Sequence, residues 1–144
     1  MIRKMADKEA DAVVALWLKT SIHSHSFIDK SYWLDKQFDM KNVYIPNSET
    51  WIYDSHGEIV GFYSLVENQL AALFVLPDFH RQGIGSQLLH HAQKQRKSLQ
   101  LTVYAENESA YAFYSSHGFT VCSHQDDDAT GHKEYVMECI NSLQ

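Results

Sequence analysis

The run Leu70-Ala71-Ala72-Leu73-Phe74-Val75-Leu76 is followed by Pro77-Asp78-Phe79, then by His80-Arg81-Gln82-Gly83-Ile84-Gly85-Ser86 and Gln87-Leu88-Leu89. The first seven residues are apolar throughout, so they predict a central strand covered on both faces. Pro77 cannot continue a ladder and stops it. Ile84, Leu88, Leu89 and Ala92 then recur at helical spacing. Between strand and helix stand Gly83 and Gly85, which let the backbone approach a ligand and adopt angles closed to other residues. The first turn of the helix offers unpaired N–H groups and the positive end of the dipole, so the loop is a candidate phosphate site. The plainer alternative is that the glycines only shape a strand-to-helix turn. A triphosphate-binding loop places Lys and Ser/Thr after its last glycine, whereas Gly85 is followed by Ser86-Gln87. A dinucleotide fingerprint places a third glycine where Leu88 stands. Neither pattern is met.

Upstream, Ile2 to Met5 reads as a short strand, with Asp7 as an N-cap for a helix carrying Ala10, Val13, Val14, Trp17 and Leu18. His23 to Ile28 is a polar break before a second helix with Tyr32, Trp33, Phe38 and Met40, which Pro46-Asn47-Ser48 ends. Thr50 to Tyr53, the turn Asp54-Ser55-His56-Gly57 and Ile59 to Val66 form a hairpin, and Asn68-Gln69 turns into the apolar strand. Downstream, Leu99 to Tyr104 alternates as a strand. Ser109 to His117 is a helix closed by Gly118, and Phe119 to Cys122 and Tyr135 to Cys139 are final strands. The order β-α-α-β-β-β-α-β-α-β-β predicts an α+β fold: helices on both faces of a mixed, mostly antiparallel sheet of six or seven strands.

The 144 residues carry 44% apolar and 12% aromatic side chains, the composition of a globular chain, and no linker divides them. A single domain over residues 1–144 is expected. The formal charge of −6 without a Lys/Arg cluster argues against nucleic acid as a partner. It suits a cationic acceptor, though acidity for solubility alone is the commoner reason. No apolar run reaches bilayer-spanning length, and the N-terminus turns acidic before a signal-length stretch develops, so a cytoplasmic protein without membrane contact is expected. Cys122 and Cys139 have no disulfide or zinc spacing and read as small buried hydrophobes. The pairs His23/His25, His90/His91 and Cys122/His124 invite a metal reading. Adjacent helical residues point about 100° apart, however, and no metal is expected.

The loop resembles the signature of the GCN5-related N-acetyltransferase family: Gln or Arg, two residues, Gly, one residue, then Gly or Ala. His80 stands where that family has Gln or Arg, which removes one side-chain anchor but leaves the backbone donors, and Arg81 is a neighbouring charge. A second block, Val103-Tyr104-Ala105-Glu106-Asn107-Glu108-Ser109-Ala110-Tyr111-Ala112-Phe113-Tyr114-Ser115-Ser116-His117-Gly118-Phe119, is similar to the family's strand, Asn and short-helix element. The resemblance implies a fold whose strands 70–76 and 99–104 splay apart, with acetyl-CoA as acyl donor. It implies that the pantetheine arm pairs with main-chain groups of Phe74 and Val75. Arg81, Gln82, Gly83, Ile84, Gly85 and Ser86 would hold the pyrophosphate, and Asn107 the coenzyme arm.

By the same resemblance Tyr114 is the candidate acid that protonates the departing thiolate, with aromatic packing beside Phe113 as the alternative; a tyrosine with its ordinary pKa of about 10 rests neutral and can donate. Glu67 at a strand end and His25 between the first helices are the candidate bases, although a water path could serve instead. His25, Phe27, Trp33 and Tyr63 are candidate residues of the acceptor pocket, with core packing as the alternative for each aromatic. The implied reaction is direct transfer to a primary amine, of a protein or a small molecule, by a monomer or a homodimer. The alternative is a non-catalytic acyl-CoA sensor or interaction module. The acceptor's determinants lie in residues 20–45 and in the loop from His124 to Gly131, which carry no readable pattern.

Overall fold

A computed structural model describes residues 1–141. Seven strands form one sheet in the order β1-β2-β3-β4-β5-β7-β6: β1 Ile2–Lys4, β2 Glu49–Ser55, β3 Glu58–Val66, β4 Gln69–Val75, β5 Ser98–Tyr104, β6 Thr120–Asp126 and β7 Lys133–Ile140. Every pairing is antiparallel except β4 with β5, so the sheet is mixed and mostly antiparallel, as the sequence predicts. The helices are α1 Ala10–Ser24, α2 Lys30–Asp35, the short α3 Gln37–Asp39, α4 Ile84–Gln93 and α5 Glu108–Ser116, with a π-helical turn at Met40–Tyr44.

Two apolar clusters sandwich the sheet. On one face Val13, Leu16 and Trp17 of α1 and Trp33 of α2 pack on Ile52 and Phe62. On the other, Ile84, Leu88, Leu89 and Ala92 of α4 pack on Tyr63, Leu65, Leu99 and Leu101. Period-two alternation explains the division, because Phe62 and Tyr63 are neighbours on β3 that must face opposite helices. The result is helix, sheet and helix in three layers.

Three local expectations change. The α1 helix does not stop at His23 but runs through Ser24, and the chain turns at His25. Asp7 does not cap it: Glu9 accepts the Ala6 N–H at 2.8 Å and pairs with both Arg3 terminal nitrogens at 2.9 and 2.7 Å. The Arg3 hydrogen bonds, aided by the Ala6 N–H, hold the Glu9 carboxyl down at about 2. Cys139 is buried as expected, but Cys122 is exposed, because every residue of β6 faces solvent on this edge strand.

The feature that positions the site is a failure of pairing. Strands β4 and β5 are in register at one point only, Gln69 opposite Gln100, where the two side-chain amides also bond at 2.8 Å. Beyond that point the strands diverge. Their facing main-chain groups are left open toward Val75 and Tyr104, and polar backbone groups of this kind demand partners.

Candidate active site

The divergence opens a cavity of about 690 Å³, walled by β4 from Leu70 to Phe74 and by β5 from Leu101 to Tyr104. It reaches both faces of the sheet. Trp17, His25 and Trp33 line it from the α1 and α2 side, while Ala110 and Tyr114 of α5 line it from the other. The π-helical turn contributes Val43 and Tyr44, and such turns are frequent at functional sites.

Ladder geometry decides which atoms of β4 face the gap. The Leu76 N–H donates to the Val60 carbonyl across the β3 pairing, and in an antiparallel ladder hydrogen-bonded positions alternate. Phe74, in register with Phe62, therefore spends its N–H and C=O on β3. The open edge belongs to Leu73 and Val75. Of the two residues expected to offer main-chain groups, Val75 therefore lies on the open edge and Phe74 does not, and the Phe74 ring stands in the cavity wall. At Val75 the carbonyl oxygen lies 2.7 Å from His80 Nε2 and accepts its proton. His80 thus fastens the loop to the strand end and does not point out as a free anchor.

The loop itself has the geometry of an anion cradle. Arg81 and Gly83 hold φ values of 65° and 79°, and Gly83 is the residue from which α4 starts. The first backbone bond of α4 runs from Gln87 N–H to Gly83 O, which leaves the N–H groups of Ile84, Gly85 and Ser86 at an open helix N-terminus. The Ile84 side chain is buried in the core, while Arg81 and Gln82 are exposed. Ser86 Oγ contacts His117 Nε2 at 3.1 Å.

Asn107 is fixed at both ends of its amide. Its Oδ1 accepts from the Ala110 N–H at 3.3 Å, capping α5, and its Nδ2 then points to His25 Nε2 at 3.4 Å. His25 is buried and stacks on Trp33 with centroids 5.0 Å apart, and Phe27 and Tyr104 meet its edge. Burial pulls the imidazole down to about 4, so it is neutral near pH 7. Phe27 packs edge-on to Tyr104 and His132 behind this ring and backs the cavity wall. Tyr114 is half-buried on the α5 side, and burial raises the pKa of its hydroxyl, which stays protonated.

Of the candidate catalytic and acceptor-pocket residues, Phe27 stands behind the cavity wall, and Glu67 and Tyr63 lie away from the cavity. Glu67 sits at φ 55° in the exposed turn joining β3 to β4, at the closed end of the gap, where its carbonyl accepts from Arg96 Nε at 2.7 Å. Tyr63 lies fully buried on the α4 face, and its hydroxyl bonds His91 Nδ1. In their place the cavity is lined by Tyr32, Lys36, Tyr44, Tyr104 and Glu134. Tyr104 and Glu134 are cross-strand partners, and the Tyr104 hydroxyl donates to Asp127 at 2.6 Å. Alternation along 99–104 and the block from Val103 to Phe119 include Tyr104 without marking it as a pocket residue, and nothing local marks Glu134. His90 and His91 diverge as helical spacing requires, one toward His117 and the other toward Trp51 and Tyr63.

Comparison with known proteins bears on this geometry. Residues 46–121 match the family model described as acetyltransferase (GNAT) domain. The chain is 36% identical over 130 residues to the peptidyl-lysine N-acetyltransferase YiaC of Escherichia coli K12, covering 88% of this chain and 89% of that protein. It superposes on the solution structure of apo YjaB from Escherichia coli with a TM-score of 0.85 at 26% identity, covering 99% and 98% of the two chains. The PaiA N-acetyltransferase of Thermoplasma acidophilum, crystallised with coenzyme A, shares the fold at a TM-score of 0.81 and 19% identity, over 97% of this chain and 98% of that one.

Proposed function

The chain belongs to the GNAT acetyltransferase family, and we propose that it moves the acetyl group of acetyl-CoA to the side-chain amine of a lysine in a protein or peptide. The observation that carries this reading is the through-sheet cavity with an aromatic lining on its α1–α2 side, together with the anion cradle at the start of α4. The kinship with YiaC supports the choice of acceptor. An alkyl chain ending in ammonium suits such a pocket: its methylenes pack on Trp33 and Tyr44, and its charge is attracted by ring faces and by Glu134.

In this reading the pyrophosphate sits on the N–H groups of residues 83 to 86, and the coenzyme arm continues along the open edge of β4. The main-chain N–H of Leu73 or Val75 polarises the thioester carbonyl. The amine attacks in its neutral form, the carbon–sulfur bond breaks, and the thiolate takes a proton from Tyr114. Neutral His25 and Glu134 are among the polar groups that line the cavity, and an ammonium proton leaves by way of water. Dependence on acetyl-CoA fits a cytoplasmic setting.

Mass spectrometry of two peptides incubated with acetyl-CoA tests the acceptor: one Nα-blocked with a free lysine, the other with a blocked lysine and a free N-terminus. Acetylation of the first is expected. Acetylation of the second alone would replace the lysine reading by an N-terminal one.

A further inference from the structure

One side chain ties the loop that would receive the pyrophosphate to the far end of α5. His117 follows α5, and its Nδ1 lies 2.7 Å from the Phe113 carbonyl oxygen and 3.1 Å from Ser116 Oγ. A carbonyl only accepts, so Nδ1 carries a proton and donates it. The other nitrogen, Nε2, is the one 3.1 Å from Ser86 Oγ. In a neutral imidazole whose proton is on Nδ1, Nε2 has only a lone pair, and the Ser86 hydroxyl must donate to it.

That arrangement is wrong for binding an anion. Ser86 lies in the first turn of α4, whose unpaired N–H groups are open to an anion. With its proton committed to His117, Oγ presents lone pairs to a phosphate oxygen, and the two repel. A proton on Nε2 reverses the bond. The imidazolium then donates to Oγ, the serine proton is free to turn to the phosphate, and a positive charge stands behind the site.

We propose that His117 is a positioning residue for the coenzyme pyrophosphate, acting through Ser86, and that binding of acetyl-CoA takes up one proton from solvent at His117 Nε2. This rests on the acetyl-CoA reading given above. It also links the coenzyme cradle to the helix that carries Tyr114, because the same ring spans Ser86 on α4 and Phe113 on α5.

The surroundings of the ring leave few competing proton sites. His90 of α4 packs on it with centroids 5.4 Å apart, and Phe113 of α5 packs at 4.5 Å. Gln93 of α4 donates to the His117 carbonyl at 3.1 Å. Among the described residues His90 is the titratable side chain whose ring meets His117, and the hydrogen bonds of the imidazole go to Phe113, Ser116 and Ser86, none of them a carboxylate.

The test is titration calorimetry of the full chain with acetyl-CoA near neutral pH, in two buffers of different ionisation heat. The wild type, His117→Gln, Ser86→Ala and His90→Gln are compared. The wild type is expected to take up as much as one proton more than His117→Gln, and its Kd to rise with pH by up to tenfold per unit, the limit for one linked proton. Ser86→Ala is expected to flatten that slope although His117 is intact, and His90→Gln to retain it. Proton exchange from the coenzyme's own phosphates is common to all four proteins and cancels in the comparison. Equal uptake by the wild type and His117→Gln, or by the wild type and Ser86→Ala should His117→Gln not fold, overturns the proposal and leaves coenzyme binding intact. No binding heat from folded wild-type protein overturns the coenzyme reading itself, and this inference with it.

Discussion

The proposed coenzyme site and the proposed acceptor pocket are built by different means. The first comes from one continuous stretch, β4, the loop and the start of α4, and most of its chemistry is backbone: the open edge at Leu73 and Val75 and the N–H groups after Gly83. The second is assembled from side chains far apart in sequence, with His25 against Trp33 and Tyr104, and Glu134 opposite Tyr104. A backbone cradle tolerates changes of side chain as long as its angles survive. An aromatic pocket depends on each ring to support the next. Substitutions on the acceptor side should therefore cost fold and function together, whereas those on the coenzyme side should separate them.

The largest effect is expected at Trp33. Its ring stacks on His25 and meets Trp17 and Tyr32 edge-on, and it is buried. Trp33→Ala should lower unfolding stability by about 4 kcal/mol, through lost burial and the cavity left behind. Urea unfolding measures this, and a loss under about 1 kcal/mol would mean that the pocket is a loose surface cleft with no rings that support one another.

Tyr114→Phe offers the opposite outcome. The hydroxyl is the group at issue, since removing it leaves the ring to pack on Phe113 and Phe119. Turnover is expected to fall ~10²-fold, the usual contribution of a positioned acid, with acetyl-CoA affinity and stability nearly unchanged. Unaltered turnover would take the acid role away from Tyr114 and assign protonation of the thiolate to solvent.

The same contrast governs what could be read in the sequence. The strand–loop–helix unit was legible, because its glycines, its proline and its apolar periods are local signals, and so was the order of elements, except that the expected second helix is split into α2, α3 and the π-helical turn. Trp33 and His25 were reachable as candidates, but Tyr104, which meets His25, and Glu134, across the ladder from Tyr104, were not, since these contacts are made by the fold alone. Glu67 ends a strand, and in the sequence that position alone points to the cleft. Only the single Gln69–Gln100 pairing reveals that this is the closed end. For Tyr63 the pocket and the core stand as equal alternatives in the sequence, because alternation tells that two faces exist but not which helix covers each, and the fold selects the core. The absence of Phe74 from the open edge has a similar cause, as the phase of the β3–β4 ladder is a tertiary fact.

A pH experiment sharpens the acceptor side. Burial lowers His25 to about 4 in the folded chain, against about 6.5 when exposed. Below about pH 6.5 the unfolded chain takes up a proton that the folded chain refuses. The stability associated with neutral His25 is thus fully present above that pH and is lost as pH falls toward 4. By about pH 5 the loss should reach about 2 kcal/mol relative to neutral pH. His25→Gln should remove this component from urea unfolding curves at the two pH values. An unchanged pH dependence would mean that His25 is solvated in the free protein and the pocket more open than its stacked rings imply.

Gly83→Ala carries the smallest expected effect and separates two reasons for a glycine. At φ 79° an added Cβ meets no heavy atom within 4 Å, so the fold itself has room, and only the left-handed backbone resists. That strain costs about 1 kcal/mol in unfolding stability. Two residues earlier Arg81 already holds φ 65° with a full side chain, so the loop is able to keep this conformation without glycine. If conformation is the only requirement, Gly83→Ala should bind acetyl-CoA within about tenfold of the wild type, in keeping with a strain of that size. A much larger loss of affinity at the same modest loss of stability would show that the pyrophosphate comes too close to the Gly83 Cα to leave space for a methyl group. The cradle would then depend on a missing side chain as much as on its N–H groups.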